Sequence, residues 1–175
     1  MKTILISFMA LSAIVMISCS KSKKDTTKTQ LTQSDSLFAV KASQGNLAEI
    51  QAAQVALTNS QKDSVKMFAQ QMINDHTKAE KSLDSIGNLL QFNMPTSPDS
   101  AHIALKQQLA SLQGSEFDSV YVSSQVADHQ TMLALLSSEM NSGSNASLKS
   151  YASTNYPIVQ MHLMMADSLQ KNLTH

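Results

Sequence analysis

Residues 65–90, VKMFAQQMINDHTKAEKSLDSIGNLL, decide the fold of this chain. Apolar side chains recur there every three or four positions, and the polar His76 falls on the same face. This interval is typical of an α-helix that buries one face. We therefore predict a helix over residues 61–91, whose buried face consists of Val65, Phe68, Ala69, Met72, His76, Ala79, Leu83, Ile86 and Leu90.

The same spacing occurs in four further segments. It predicts helices from residue 34 or 35 to 59, from 97 or 99 to 112, from 116 to 140 and from 146 to 173. Prolines interrupt the pattern at 95 and 98, Gly114 should end the short helix, Ser115 should cap the next, and Pro157 should kink the last. Four long helices, each with one apolar face, bury those faces against one another. The predicted fold class is all-α: an antiparallel four-helix bundle with a short extra helix in the middle connection.

The composition agrees with this fold and excludes one class of partner. Of the 175 residues 42% are hydrophobic, yet only 5% are aromatic, and there are 11 Met, 4 Gly and 3 Pro. So few turn-forming residues argue against a many-stranded β fold. All 13 basic residues are Lys, and the formal net charge is zero. We expect no nucleic-acid partner, because the chain lacks both the Arg forks and the positive charge that such partners require.

The first nineteen residues predict export and lipidation. Lys2 precedes an apolar run over residues 4–17. A helix of that length spans ~21 Å, short of the ~30 Å hydrocarbon core of a bilayer, which indicates a cleaved signal rather than a membrane-spanning helix. The following MISC at 16–19 resembles a lipobox, and Cys19 is the only cysteine. We predict a lipoprotein signal peptide over 1–18 and a lipid on Cys19. The alternative is an ordinary signal peptide with an incidental cysteine.

The residues after Cys19 should form a tether. Residues 19–33 are polar and have no apolar periodicity, which predicts a flexible, hydrated spacer ahead of a bundle domain at 34–173. Acyl chains on Cys19 would hold the domain at a membrane, which is the predicted partner. The predicted location is the cell envelope, with the lipid in the outer membrane. The periplasmic side and the cell surface both remain open.

Four polar residues fall in the middle of the apolar faces of the four long helices: Glu49, His76, His129 and His162. Side chains in such positions can meet in the core of a bundle. Neutral imidazoles and a carboxylate are ligands of Zn²⁺ and Fe²⁺, and a metal would explain a buried Glu. These four residues are therefore candidate ligands of one divalent transition-metal ion, Zn or Fe. The alternative is that the imidazoles are core-edge residues satisfied by Tyr121, Gln125, Glu49 or backbone carbonyls.

Nearby polar residues are candidates for holding the imidazoles through their second nitrogen. Glu80 lies four residues after His76, and Gln125 lies four before His129, so each shares a helix face with its histidine. Tyr121 is a further candidate. No Ser-His-Asp arrangement and no glycine-rich phosphate loop occurs in the sequence. We assign no catalytic residue, and the pattern favours a protein that is not an enzyme.

Four segments together resemble a known family: FAVKASQGNLAEI from Phe38, VKMFAQQMINDHTKAE from Val65, GSEFDSVYVSSQVADHQ from Gly114 and LKSYASTNYPIVQMHLMMA from Leu148. In order and spacing they resemble the bacterial envelope family called domain of unknown function 4142, over about residues 34–173. The resemblance implies a ferritin-like four-helix bundle. The recurrent polar positions of the family fall on Glu49, Asp75, His76, Phe117, Asp118, His129 and His162. Asp75 and Asp118 thereby join the outer-partner candidates.

A ferritin-like fold does not imply ferritin chemistry. Di-iron bundles carry Glu-x-x-His on two helices, whereas the residues three before the central histidines are Ile73, Val126 and Val159. We expect no di-iron centre. The expected function is that of a lipid-anchored envelope protein with a non-enzymatic role in interaction or stress. The alternative is a metal-binding protein with a single-ion Glu/His site in the bundle core.

Overall fold

The computed structural model describes residues 31–173, and within them it contains five α-helices and no strand. The helices are α1 (Gln33–Asn59), α2 (Asp63–Leu90), α3 (Ser100–Ser111), α4 (Gly114–Ser142) and α5 (Ala146–Leu173). The predicted all-α class and the short helix between the second and third long helices are confirmed. None of the described helices combines the length and the apolar character that crossing a bilayer requires.

The start of α1 is fixed by a capping box. The Thr32 hydroxyl accepts from the Asp35 backbone N–H, and the Asp35 carboxylate accepts from the Thr32 backbone N–H. The same carboxylate is buried and accepts the backbone N–H groups of Ser144 and Asn145 at 2.8 and 3.2 Å. The start of α1 is thereby joined to the loop between α4 and α5. The last residues of the predicted tether, 32 and 33, belong to this helix start.

Several predicted helix limits differ from the structure by one to three residues. Helix α2 begins at Asp63 rather than at residue 61, because Ser60 and Lys62 adopt extended backbone conformations. Gly114 does not end α3, which closes at Ser111; with a φ of 59° it is the first residue of α4. Glycine suits this position because it adopts positive φ without steric cost. Helix α5 continues through Pro157.

The four long helices contact one another in a ring. Helix α1 packs on α2 and α4, and α5 packs on the same two helices, while α3 lies against α1 and α4. The buried apolar side chains form two clusters, one around Phe68, Phe117 and Tyr121 and one around Phe38, Leu83 and Leu136. On α2, α4 and α5 a buried histidine separates residues of the first cluster from residues of the second. The bundle therefore contains a polar layer between two apolar ones.

Candidate metal centre

Three histidines meet in the polar layer of the bundle. His76 on α2, His129 on α4 and His162 on α5 are only 4%, 1% and 0% exposed. The centroids of their rings are 5.4 to 5.7 Å apart in all three pairs. One ring nitrogen from each residue lies within 4.8 Å of the other two. The structure thus brings three of the four predicted ligands together.

The outer nitrogen of His76 is held by a buried amide. His76 Nδ1 lies 3.1 Å from Asn46 Oδ1. The Asn46 amide nitrogen donates to Glu80 Oε2 at 3.0 Å and to Tyr151 Oη at 2.9 Å, so its oxygen faces the imidazole. An amide oxygen can only accept, and His76 Nδ1 therefore carries the proton. His76 Nε2 is therefore the nitrogen that keeps a free lone pair.

The other two imidazoles are held in the same way. His129 Nδ1 lies 2.8 Å from the backbone oxygen of Gln125, and His162 Nε2 lies 3.1 Å from Asp75 Oδ2. Each of these nitrogens faces an acceptor and must donate. Hydrogen bonds from Gln71, His162 and Lys78 outweigh the effect of partial burial and lower the pKa of Asp75, which keeps its carboxylate ionised.

The three remaining nitrogens are bare. His76 Nε2, His129 Nε2 and His162 Nδ1 are buried and have no hydrogen-bond partner in residues 31–173. A buried polar atom without a partner costs ~1–3 kcal/mol, so three together need an explanation. Zn²⁺ binds imidazole nitrogen at ~2.0–2.1 Å, which places tetrahedral ligand nitrogens about 3.4 Å apart. Small inward movements of the rings would reach that spacing.

Burial keeps these imidazoles neutral. It lowers the pKa of His76 well below its usual value, and repulsion by His129 and His162 lowers it further. Burial, followed by repulsion from His162, lowers the pKa of His129 to about 4. Burial also lowers the pKa of His162, against the opposing effect of Asp75. At neutral pH all three lone pairs are available, which is the protonation state that a metal ligand requires.

Glu49, predicted as the fourth ligand, is not part of this cluster. Its Oε1 lies 3.8 Å from His129 Nδ1, the nitrogen that faces away from the bare ones, and its Oε2 has no partner among the described residues. Burial, followed by the nearby Asp128 carboxylate, raises the pKa of Glu49 to about 8. The physical reason for the difference is the position of α1 along the bundle. At the level of His76 this helix presents Asn46, one turn before Glu49.

The predicted outer partners fall into two groups. Asp75 contacts His162 directly, and Gln125 contacts His129 through its backbone oxygen. Glu80 contacts Asn46 rather than His76, and Ser43 Oγ donates to its Oε1 at 2.5 Å, so it acts one step further out than predicted.

Asp118 and Tyr121 are not partners of the imidazoles. They are buried on α4, eleven and eight residues before His129, which corresponds to ~16 and ~12 Å along the helix axis. Tyr121 stacks against Phe117 in the apolar cluster. Both predictions were wrong because a shared helix face does not imply a shared depth in the bundle.

Asn46, which the sequence did not single out, contacts His76 in the structure. It lies four residues after Ala42 and three before Glu49, on the face that was predicted to be buried. A buried amide on an apolar face needs polar partners, and this signal was present in the sequence. Its partners Glu80 and Tyr151 are on other helices, so its role becomes visible only in the structure. Cys19, the predicted lipidation site, lies outside the described residues.

A cavity of about 480 Å³ adjoins the centre and is lined by His76, His129 and Glu49. On its wall His102 lies between Asp99 and Asp128, with nitrogen–oxygen distances of 2.9 and 3.6 Å. Asp128 raises the pKa of His102 to about 9 with the help of Asp99, although partial burial opposes this. His102 is therefore a cation at neutral pH, and it fastens α3 to α4 rather than joining the three neutral imidazoles.

A comparison with protein families assigns the chain to a class. The model of the family Domain of unknown function (DUF4142) matches residues 20–169. Because this match spans most of the sequence, the protein belongs to that family, as the resemblance predicted. No protein with a curated description is similar to this chain.

Two solved structures share the fold. The crystal structure of a DUF305 fragment from Deinococcus radiodurans has a TM-score of 0.73 and 11% identity, and the match covers 82% of this chain and 99% of that one. A candidate secreted DUF305 protein from Streptomyces coelicolor has a TM-score of 0.70 and 11% identity, over 81% of this chain and 92% of that one. At this level of identity the likeness shows the fold alone.

Proposed function

We propose that this protein binds one divalent transition-metal ion through His76 Nε2, His129 Nε2 and His162 Nδ1. The observation that carries the proposal is the orientation of the three rings. Each donates a proton to an oxygen acceptor through one nitrogen and keeps the other nitrogen buried without a hydrogen-bond partner, and one nitrogen of each ring lies within 4.8 Å of the other two. In metalloproteins this arrangement fixes the tautomer of a metal-bound histidine.

The core-edge alternative is less well supported. An imidazole that merely fills a polar position in a core uses both ring nitrogens in hydrogen bonds. Here the three inward nitrogens cannot hydrogen-bond to one another, because none of them carries a proton. Three lone pairs buried close together repel, and a cation placed between them would turn this repulsion into attraction.

The proposed ion has three neutral nitrogen ligands. Such a set suits Zn²⁺ or Fe²⁺ and leaves at least one coordination position for a further ligand. No carboxylate belongs to the grouped ligands within residues 31–173, which supports a single-ion site rather than a di-iron centre. We propose a binding function, in keeping with the expected non-enzymatic envelope protein.

The test is metal stoichiometry in the mature chain carrying Cys19→Ser and no affinity tag. Elemental analysis and competition with a coloured chelator should give one Zn²⁺ per chain. His76→Gln, His129→Gln or His162→Gln should each abolish stoichiometric binding. His102→Gln is the matched control, since it removes a histidine outside the cluster and should leave the stoichiometry unchanged. Wild-type protein that retains no ion, or a His129→Gln variant that binds as well as wild type, would contradict the proposal.

We further propose that the protein is a lipid-anchored protein of the cell envelope. The short apolar leader and the lipobox-like MISC at 16–19 support this location, and one structural relative is itself a candidate secreted protein. In the native host, Cys19→Ser should move the protein from the membrane fraction to the soluble fraction. Unchanged fractionation would contradict the anchor.

The finer arrangement of the bundle is also a proposal. We infer an antiparallel, ferritin-like order of the long helices. The ring of contacts between α1, α2, α5 and α4 supports it, as do the short links of three residues each after α1 and after α4. Links this short favour antiparallel neighbours.

A further inference from the structure

The surroundings of the proposed ion are strongly asymmetric. On the side of His76 and His129 lies the cavity of about 480 Å³, within the size range of small-molecule sites. On the side of His76 and His162 the adjoining void measures only about 10 Å³. Within residues 31–173, the larger cavity therefore gives a ligand bigger than water a route to an ion between the three imidazoles.

The charge around the site favours an anion. Three neutral imidazoles leave the charge of a divalent ion uncompensated by its own ligands. The nearest acceptor carboxylate, Asp75, contacts the outer edge of His162, on the side away from the larger cavity. At the rim of the cavity Lys41 is exposed and has no ion-pair partner among residues 31–173. The cavity lining also contains the carboxyl groups of Asp99, Asp128 and Glu49, which face two positive side chains, Lys41 and His102. The divalent ion at the floor therefore makes the total charge positive, and Lys41 adds positive charge at the rim.

The cavity walls are suited to an organic molecule. Met132 and Leu135 supply apolar surface, and Gln44 and Thr131 supply polar groups. The buried Oε2 of Glu49, which has no partner in the described part of the chain, adds a polar group beside His129. A few polar groups in an apolar cavity are typical of sites that bind small molecules.

We propose that this cavity binds a small organic acid, whose carboxylate oxygen takes the fourth coordination position of the ion. The proposal rests on the proposed metal site. Coordination is the only bond formed, and the acid leaves unchanged. The apolar part of the acid lies against Met132 and Leu135, and Lys41 attracts the carboxylate to the cavity.

The experiment uses the mature chain carrying Cys19→Ser, loaded with Co²⁺ and titrated with benzoate or azide while the visible absorption is recorded. Both anions should change the spectrum in a saturable way. Thr131→Trp narrows the cavity mouth. It should lower the affinity for benzoate by about tenfold or more and leave the affinity for azide nearly unchanged. Lys41→Gln should lower the affinity for both anions roughly two- to fivefold. Lys66 lies outside the cavity lining, so the control Lys66→Gln should leave both affinities unchanged.

The outcomes separate the two proposals. If Co²⁺ binds but neither anion alters its spectrum, the fourth position is closed and the organic-acid site is wrong, while the metal site stands. If benzoate binds equally well to Thr131→Trp, the route through the cavity is wrong. If wild-type protein takes up no Co²⁺, the metal site itself is wrong.

Discussion

The tautomer of a histidine in a protein core depends on the group that its second ring nitrogen contacts. In this bundle the outer nitrogens contact a side-chain amide, a backbone carbonyl and a carboxylate. These three acceptors differ in chemistry, yet each fixes the tautomer that leaves the inward nitrogen free. The proposed metal site therefore depends on these acceptors as much as on the imidazoles.

Asn46 provides the sharpest test at this scale. Asn46→Ala removes the acceptor of His76 Nδ1 and leaves Glu80 without one of its donors. We expect the affinity for Zn²⁺ to fall ~10–100-fold while the stoichiometry stays at one ion, because the ligand is kept and only its orientation is lost. Chelator competition measures this affinity. Asn59→Ala, which removes an amide that binds the α3–α4 connection, is the control. Equal affinity in the two variants would show that Asn46 does not position His76.

The sequence identified the histidines but not their partners. Each histidine lies on a periodic apolar face, so its burial followed from the helix period alone. Glu49 lies on such a face as well, yet it falls one turn beyond the level at which the imidazoles meet. A shift of a helix by one residue moves its side chains ~1.5 Å along the axis, and periodicity contains no information about that shift. For this reason the role of Asn46 could not be predicted.

At the scale of helices, buried and half-buried carboxylates fix the relative positions of the elements. Asp35 joins the start of α1 to the loop between α4 and α5, and Asp128 binds His102 at the start of α3. Neither contact follows the helix period. The helix limits could be predicted to within a few residues, whereas these connections depend on how the helices meet.

Asp35→Ala should destabilise the protein by about 2 kcal/mol. The change removes the carboxylate that accepts from Thr32 in the capping box and also leaves the backbone N–H groups of Ser144 and Asn145 without their acceptor. Urea unfolding followed by circular dichroism measures the loss. Asp63→Ala, at the exposed first turn of α2, is the matched control and should cost only ~0.5 kcal/mol. Similar losses in the two variants would mean that Asp35 acts only as a local cap.

His102 should make the stability depend on pH in the alkaline range. Its pKa in the folded protein is about 9, raised above the usual value of 6.5. Its contribution to the free energy of unfolding is therefore complete below about pH 6.5 and is lost as the pH rises through 9. Between pH 7 and pH 10, metal-free wild-type protein should lose more stability than metal-free His102→Gln. Glu49 also titrates in part of this range and His102 lowers its pKa, so both chains should carry Glu49→Gln to remove this second titration. Parallel pH profiles would contradict the prediction.

At the scale of the whole molecule, the fold rests on a pattern rather than on particular residues. Two DUF305 structures have similar folds at 11% identity. Helix period, helix length and loop length are enough to specify such a bundle. These same features made the all-α class and the five helices predictable from the sequence. The polar layer between the two apolar clusters depends on particular residues of this chain, which helix period and helix length do not specify.

Metal binding should stabilise the molecule as a whole, because the proposed ligands come from three helices. At a free Zn²⁺ concentration 100-fold above the dissociation constant, the free energy of unfolding should rise by ~2.7 kcal/mol. Urea unfolding with and without Zn²⁺ measures this difference. A chain carrying His76→Gln, His129→Gln and His162→Gln should show no increase. Equal stabilisation of both chains would indicate that Zn²⁺ binds elsewhere.

The position of the ion is the most direct test of the central claim. Crystals of Zn²⁺-loaded protein, measured on both sides of the zinc absorption edge, locate the metal by its anomalous scattering. We predict a single strong peak ~2.0–2.1 Å from His76 Nε2, His129 Nε2 and His162 Nδ1. A fully loaded protein with no peak between these three nitrogens, or with its zinc bound only to surface residues, would contradict the account.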